Sequence, residues 1–167
     1  RNNTLFRNHI GMGYHPTEVP SVIRRNVMEN PGWYTAYTPY QAEIAQGRLE
    51  ALLNFQTMVC ELTGMELANA SLLDEATAAA EAMTMLFNAR SRKAAKAGVN
   101  RFVVSDGVFP QIWAVLRSRA AHLGIDIEQR PDSDLGLDDT TFGLFVQYPD
   151  DQGRVEPLAD TITKAHA

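Results

Sequence analysis

Apolar residues recur at three- and four-residue spacing from Ala42 to Thr63, and this period predicts a long helix. Gly64 follows directly, and glycine commonly ends a helix because it adopts the left-handed backbone conformation without strain. A shorter helix is predicted at residues 20–30, PSVIRRNVMEN, where the leading proline suits the first turn and a Pro-Gly pair follows the end. The first part of the chain is therefore predicted to be helical.

The second part alternates short apolar runs with helical patterns, joined by short connections. Strands are predicted at 67–73, 101–106, 125–130 and 142–150, and helices at 74–90, 109–124 and 155–167. The last strand, FGLFVQYPD, is nearly continuous in apolar residues, which is typical of strands buried in a parallel sheet. The alternation indicates an α/β fold with a mostly parallel sheet flanked by helices. Because such a final helix normally leads into another strand, we expect the chain to be part of a larger α/β domain.

The segment SLLDEATAAAEAM, residues 71–83, has the order strand, turn and helix that binds phosphate in many α/β proteins. Phosphate-binding turns of this kind usually carry glycines, whereas this turn carries Asp74 and Glu75. Both carboxylates complement the positive end of the helix dipole, and both would repel a phosphate. We expect a self-capped helix start here rather than a phosphate site.

Composition excludes several classes of partner. The chain has 167 residues and a net charge of −5, so no nucleic-acid partner is expected. No apolar run approaches the roughly 20 residues that span a membrane. Cys60 is the only cysteine, so no internal disulfide can form, and a reducing compartment is expected. The histidines and this cysteine show no metal-ligand spacing, and no metal site is predicted.

The three lysines, Lys93, Lys96 and Lys164, all lie in polar surroundings, and none has the desolvated pocket that a Schiff-base lysine needs. The best candidate site is the loop at residues 34–43, YTAYTPYQAE, which crowds hydroxyl and acidic groups around a proline turn. A plainer interpretation is also open. The tyrosines would then wedge the loop onto the core, while Glu43 favours the start of the following helix.

Four segments, 10–14 (IGMGY), 37–64, 67–83 and 146–156 (VQYPDDQGRVE), closely resemble the N-terminal half of glycine dehydrogenase (decarboxylating). This family comprises the pyridoxal-phosphate P-proteins of the glycine cleavage system. The resemblance is patchy between residues 84 and 141 but covers most of the chain in order. Another fold type I enzyme, such as a cysteine desulfurase or an amino-acid decarboxylase, fits these motifs less well.

The resemblance implies part of a fold type I pyridoxal-phosphate-dependent, transferase-like large domain, in a dimeric oxidoreductase of glycine catabolism. The family decarboxylates glycine, with pyridoxal 5′-phosphate as electron sink, and transfers the aminomethyl group to the lipoyl group of the H-protein. The C-terminal half or a partner subunit carries the Schiff-base lysine. No cofactor is therefore expected to be bound covalently to this chain, which alone is expected to be inactive.

By the same resemblance, Tyr37, Thr38, Tyr40 and Glu43 line the active-site cleft in supporting catalytic roles. The hydroxyl groups would hydrogen-bond the glycine carboxylate or the cofactor, and the carboxylate would orient a neighbour or tune a proton transfer. Residues 1–42 are expected to form a loop and short-helix segment at the cleft, and residues 43–167 a truncated α/β large domain.

The expected partners are glycine, the lysine-bearing half or subunit, the H-protein and a second copy in a homo-oligomer. The expected location is the cytoplasm if the source is bacterial and the mitochondrial matrix if it is eukaryotic. An alternative function remains open at this point. The chain would then be a non-catalytic interaction or scaffold module derived from a fold type I enzyme.

Overall fold

The computed structural model describes residues 3–34 and 41–166 and divides the chain into two compact units between Ser71 and Leu72. The boundary predicted between residues 42 and 43 was based on the expected cleft-lining role of residues 1–42. That boundary stays a prediction. Within the described residues, no helix is long and apolar enough to cross a bilayer.

The first unit is helical. It contains α1 (Ser21–Glu29), a 3-10 turn (Pro31–Trp33) and α2 (Ala42–Thr63). The predicted bounds of α2 are confirmed. Gly64 ends α2 in the left-handed conformation, with φ of 71°, and its N–H donates to the Cys60 carbonyl at 2.9 Å. The period of α2 and the glycine after it are both local signals, which explains why the sequence predicted this helix so closely.

The strand predicted at residues 67–73 is wrong, because the structure has no strand in this segment. Leu67 and Leu73 are 88% and 87% exposed, so the apolar run is not buried in a sheet. The Gln56 amide donates to the Ala68 carbonyl at 2.7 Å, and this bond ties the segment to α2. A strand is stable only beside partner strands, and the apolar run alone did not supply one.

The second unit has helices and strands close to where the sequence predicted them, with differences mainly at the ends. Its elements are α3 (Glu75–Ala89), α4 (Arg92–Lys96), β1 (Arg101–Ser105), α5 (Pro110–Leu123), β2 (Asp126–Arg130), β3 (Thr141–Phe145) and α6 (Ala159–His166). The short helix α4 was not predicted. The final helix begins at Ala159 rather than residue 155, and β3 ends at Phe145, five residues before the predicted end.

The three strands form a parallel sheet in the order β2-β1-β3. The central strand β1 is buried, and helices α3 and α5 pack against one face of the sheet. This core consists of residues of α3, β1 and α5, with one residue on either side of α5: Ala76, Ala79, Ala80, Met83, Phe102, Val104, Val108, Ile112, Leu116, Ala120 and Ile125. The α/β class with a mostly parallel sheet and flanking helices is confirmed.

The connection from β2 to β3, residues 131–140, crosses β1 without a helix and lies on the other face of the sheet. Side chains alternate between the two faces of a strand, so Arg101 of β1 points away from the face that carries Phe102. The Arg101 guanidinium donates to the Gly136 carbonyl at 2.7 Å and lies 3.2 Å from the Asp138 carboxylate. It is also 2.7 Å from Glu128. One arginine thus fastens the connection to the two strands beneath it.

Gly143 of β3 makes room for an aromatic cluster in the core. A Cβ at this position would lie 2.7 Å from a Phe102 ring carbon and 3.2 Å from Leu86. The Phe102 ring packs against Phe142 at a centroid distance of 5.3 Å, and Phe142 packs against Phe87 at 5.4 Å. Any side chain at residue 143 would push this cluster apart.

We expect Gly143→Ala to destabilise the chain by about 1–3 kcal/mol, because the methyl group overpacks a filled core. The measurement is the free energy of unfolding in urea. Gly47→Ala is the matched control, since no neighbouring atom lies within 4 Å of the place that its methyl group would take, and alanine favours a helix. Equal stability of Gly143→Ala and the unaltered chain would contradict the packing argument.

Candidate functional site

The predicted cleft loop is only partly covered by the structure. Tyr37, Thr38 and Tyr40 lie outside the described residues. Glu43 is exposed in the first turn of α2, where its charge complements the helix dipole. That position agrees with the plainer interpretation of Glu43 and leaves the carboxylate accessible to a neighbour. The cleft roles of the four residues stay predictions.

The IGMGY segment forms a tight turn. Gly11, Met12 and Gly13 all have positive φ, at 67°, 57° and 88°, and the Tyr14 N–H donates to the Gly11 carbonyl at 2.9 Å. Two of these three positions carry glycine, the residue that adopts this conformation at least cost. The Tyr14 side chain is 61% exposed beside the turn. The turn therefore presents an aromatic hydroxyl on a constrained backbone.

The start of α3 is capped by its own sequence, as predicted. Asp74 is extended, and its carboxylate accepts the Thr77 N–H at 2.7 Å. That backbone hydrogen bond, and then the bond from the Thr77 side chain, hold the pKa of Asp74 below its usual range. Glu75 adds a second negative charge in the first turn. A phosphate would meet two carboxylates here, with one of the free N–H groups already taken.

The described lysines do not fit a covalently bound aldehyde cofactor. Lys93 and Lys96 on α4 and Lys164 on α6 are all exposed to solvent. Desolvation is what lowers the pKa of a lysine enough for it to act as a nucleophile at neutral pH. Together with the closed start of α3, this means that the residues present do not fit pyridoxal phosphate at this turn.

Metal ligation is also unsupported by the described part of the chain. Nowhere in it do three or more His, Cys, Asp or Glu side chains come close enough together to hold an ion. The groove between residues 132–137 and α6 has a volume of about 480 Å³ and a mixed polar and apolar lining, with Thr161 and Lys164 on its helical side. It contains none of the predicted site residues.

The carboxyl edge of the sheet carries a cluster that sequence reasoning missed. In open α/β sheets, ligands bind outside the carboxyl ends of the strands. At this edge the Gln147 side chain, just after β3, accepts the Phe109 N–H at 2.9 Å and donates to the Pro149 carbonyl at 3.2 Å. The Asp151 N–H donates to the Gly107 carbonyl at 2.8 Å. The loops that follow β1 and β3 are therefore joined.

Asp150 organises the loop after β3. Its carboxylate accepts the N–H groups of Gln152 and Arg154 at 2.9 and 2.7 Å, and the Arg154 guanidinium Nε–H at 2.6 Å. Burial raises the pKa of Asp150, but the bonds from Arg154 and Gln152 outweigh it, and the pKa is lowered overall. The signal in the sequence was the run of polar residues directly after a buried strand, within the VQYPDDQGRVE motif.

The loop after β1 is fitted closely to Asp150. The buried Ser105 hydroxyl accepts the Gly107 N–H at 3.0 Å. A Cβ on Gly107 would lie 3.0 Å from the Asp150 Cβ and 3.5 Å from the Asp132 carboxylate. Glycine at residue 107 thus permits the close approach of the two loops.

Comparison with known proteins gives one consistent family. The family model described as "Glycine cleavage system P-protein" matches residues 1–167. Glycine dehydrogenase (decarboxylating) from Flavobacterium johnsoniae is 53% identical over 99% of this chain. The enzymes from Christiangramia forsetii and Thermosynechococcus vestitus are both 56% identical, over 96% and 98% of this chain. The chain spans 17% of the length of each of these relatives.

A solved structure agrees with the sequence relatives. It is the inhibitor-bound crystal structure of glycine decarboxylase (P-protein) of the glycine cleavage system. The similarity has a TM-score of 0.60 at 38% sequence identity, and it covers 72% of this chain and 26% of that one.

The cap at the start of α3 can be tested by measuring how the midpoint of thermal unfolding depends on pH. We expect Asp74→Asn to lower the midpoint of thermal unfolding by a few degrees near neutral pH, because asparagine still caps the helix but lacks the charge that complements the helix dipole. The native pKa of Asp74 is depressed, so its stabilisation is present above about pH 4 and is lost as the pH falls through the lowered pKa. The two unfolding curves should therefore converge in acid.

The control is Glu75→Gln, which removes a charge from the same turn but leaves the charged acceptor of the Thr77 N–H in place. It should lower the midpoint less than Asp74→Asn does. Calorimetry with added phosphate extends the test, since binding of phosphate to the unaltered turn would contradict the self-capped interpretation.

Proposed function

Because this chain belongs to the glycine cleavage system P-protein family, we propose that it is part of the N-terminal half of a glycine dehydrogenase (decarboxylating). The complete enzyme would decarboxylate glycine and transfer the aminomethyl group to the lipoyl group of the H-protein. The observation that carries this proposal is the match of one family model to all 167 residues, with relatives of that name more than half identical.

In this proposal the half that contains the chain does not hold the cofactor. Pyridoxal 5′-phosphate supplies an electron sink for decarboxylation when it is bound in the complete enzyme. The exposed lysines and the two carboxylates at the start of α3 support a location for it elsewhere, on the C-terminal half or on a partner subunit that bears the reactive lysine. We propose that the complete enzyme is a homo-oligomer, namely a dimer.

The chain's own contribution would be one wall of the glycine cleft. Tyr37, Thr38 and Tyr40 offer hydroxyl groups that can donate hydrogen bonds to a carboxylate, and such bonds to a charged group are stronger than neutral ones. Glu43 is exposed at the start of α2, so its carboxylate is accessible to orient a neighbouring donor or to take part in a proton transfer.

The location of the enzyme is a further part of this proposal. We propose the cytoplasm for a bacterial source and the mitochondrial matrix for a eukaryotic one. The net charge of −5 suits small-molecule and protein partners rather than nucleic acid.

The test uses the full-length protein that contains this chain, carboxyl-labelled glycine and a lipoylated H-protein, with release of labelled carbon dioxide as the readout. We expect Tyr37→Phe, Thr38→Val and Tyr40→Phe each to lower kcat/KM for glycine about tenfold, equal to about 1.4 kcal/mol of transition-state stabilisation. Removal of one hydroxyl group leaves the shape of each side chain nearly unchanged, so a loss reports on the hydrogen bond.

Thr57→Val is the matched control, because it removes one hydroxyl group from an exposed threonine of α2 that lies outside the candidate loop. It should leave kcat/KM unchanged. If all three variants match this control, the cleft assignment is wrong although the family activity stands. If the unaltered protein releases no labelled carbon dioxide, the scaffold alternative gains instead.

A further inference from the structure

We propose that Asp150 is a positioning residue for the glycine reaction, because it fixes the joined loops after β1 and β3 at the carboxyl edge of the sheet, where ligands of α/β sheets bind. This inference rests on the proposed function, which supplies the substrate. The inference adds Asp150 to the residues proposed to serve this reaction, and it gives the carboxyl edge of the sheet a positioning role.

Burial of the Asp150 charge is the first observation in its favour. Among the described residues, Asp150 is the one charged residue in the buried class, at 8% exposure. A buried carboxylate is costly unless donors surround it. Here the three donors all come from residues 152 and 154, within its own loop. The carboxylate therefore sets the path of the backbone from residue 150 to residue 154.

A connection across the edge of the sheet is the second observation. The backbone path set by Asp150 places the Asp151 N–H against the Gly107 carbonyl at 2.8 Å. Gln147 adds a bond to the Phe109 N–H at the other end of the same loop. The two bonds, which we call the edge clasp, join the loops that follow two neighbouring strands. Loosening Asp150 would free one half of this clasp.

The position of Tyr148 is the third observation. Its side chain is 58% exposed, and it lies between the two residues that anchor the loop, Gln147 and Asp150. The edge clasp therefore fixes the backbone on both sides of Tyr148. Since ligands of α/β sheets bind outside the carboxyl ends of the strands, an exposed tyrosine hydroxyl group on a fixed backbone at this edge suits recognition of a small polar substrate.

The experiment compares Asp150→Asn with Glu128→Gln in the full-length protein. Both changes turn a carboxylate into an amide of equal size, and both carboxylates pair with arginines in the same unit. Glu128 lies in the middle of β2, away from the edge clasp. In Asp150→Asn the new amide N–H₂ group would face the Arg154 guanidinium, donor against donor.

Two readouts separate positioning from stability. We expect Asp150→Asn to raise KM for glycine or lower kcat, so that kcat/KM falls about tenfold or more. Hydrogen exchange should also become faster at the amides of Asp151 and Phe109. Glu128→Gln should lower the thermal midpoint, because Glu128 also pairs with arginines, but it should change neither kcat/KM nor the exchange of those two amides.

Arg154→Lys provides a second variant if Asp150→Asn fails to fold. It keeps the positive charge and the backbone bonds but removes the Nε–H donor, so an intermediate loss of kcat/KM is expected. The inference is overturned if the edge clasp opens by hydrogen exchange while kcat/KM for glycine stays unchanged, or if Glu128→Gln lowers it equally. An unaltered protein without glycine activity would instead refute the proposed function, and the exchange data would still test the clasp.

Discussion

The structure of the second unit depends on the Arg101 guanidinium. The chain passes from β2 to β3 across the central strand through residues 131–140, and it has no helix there to satisfy its own backbone groups. Arg101 supplies what is missing, because it binds the Gly136 carbonyl, Asp138 and Glu128 from the strand that is being crossed. The bond from Arg101 also lowers the pKa of Glu128, so the pair stays charged at neutral pH. With the connection fastened, all three strands run parallel and their carboxyl ends meet at one edge.

Local signals explain what the sequence predicted well. The period of α2 and the glycine after it fix that helix, and Asp74 caps α3 by a contact within one turn. Segments whose conformation depends on distant partners were harder to predict from the sequence. The apolar run at 67–73 suggested a strand, but these residues pair with no strand of the structure. The bond between the Asp151 N–H and the Gly107 carbonyl joins two loops that are far apart in the sequence. Residues 131–141 are acidic and loop-like in the sequence, and the structure has no helix or strand at 131–140, but the sequence did not show that Arg101 holds this connection in place.

Family membership and the geometry of the second unit agree about function. The resemblance and the family match both point to a P-protein, while the capped start of α3 and the exposed lysines support the proposal that the cofactor is held elsewhere. A carboxylate at a helix start complements the positive end of the helix dipole, as a bound phosphate would. The same carboxylate repels a phosphate, so the helix start no longer suits phosphate binding.

The central claim is that this part of the protein serves the glycine reaction without carrying the cofactor. The most direct measurement is borohydride reduction of the full-length protein with bound pyridoxal phosphate, followed by mass spectrometry of its peptides. We predict one modified lysine, located outside residues 1–167. Modification of Lys93, Lys96 or Lys164 at the same stoichiometry would contradict the claim.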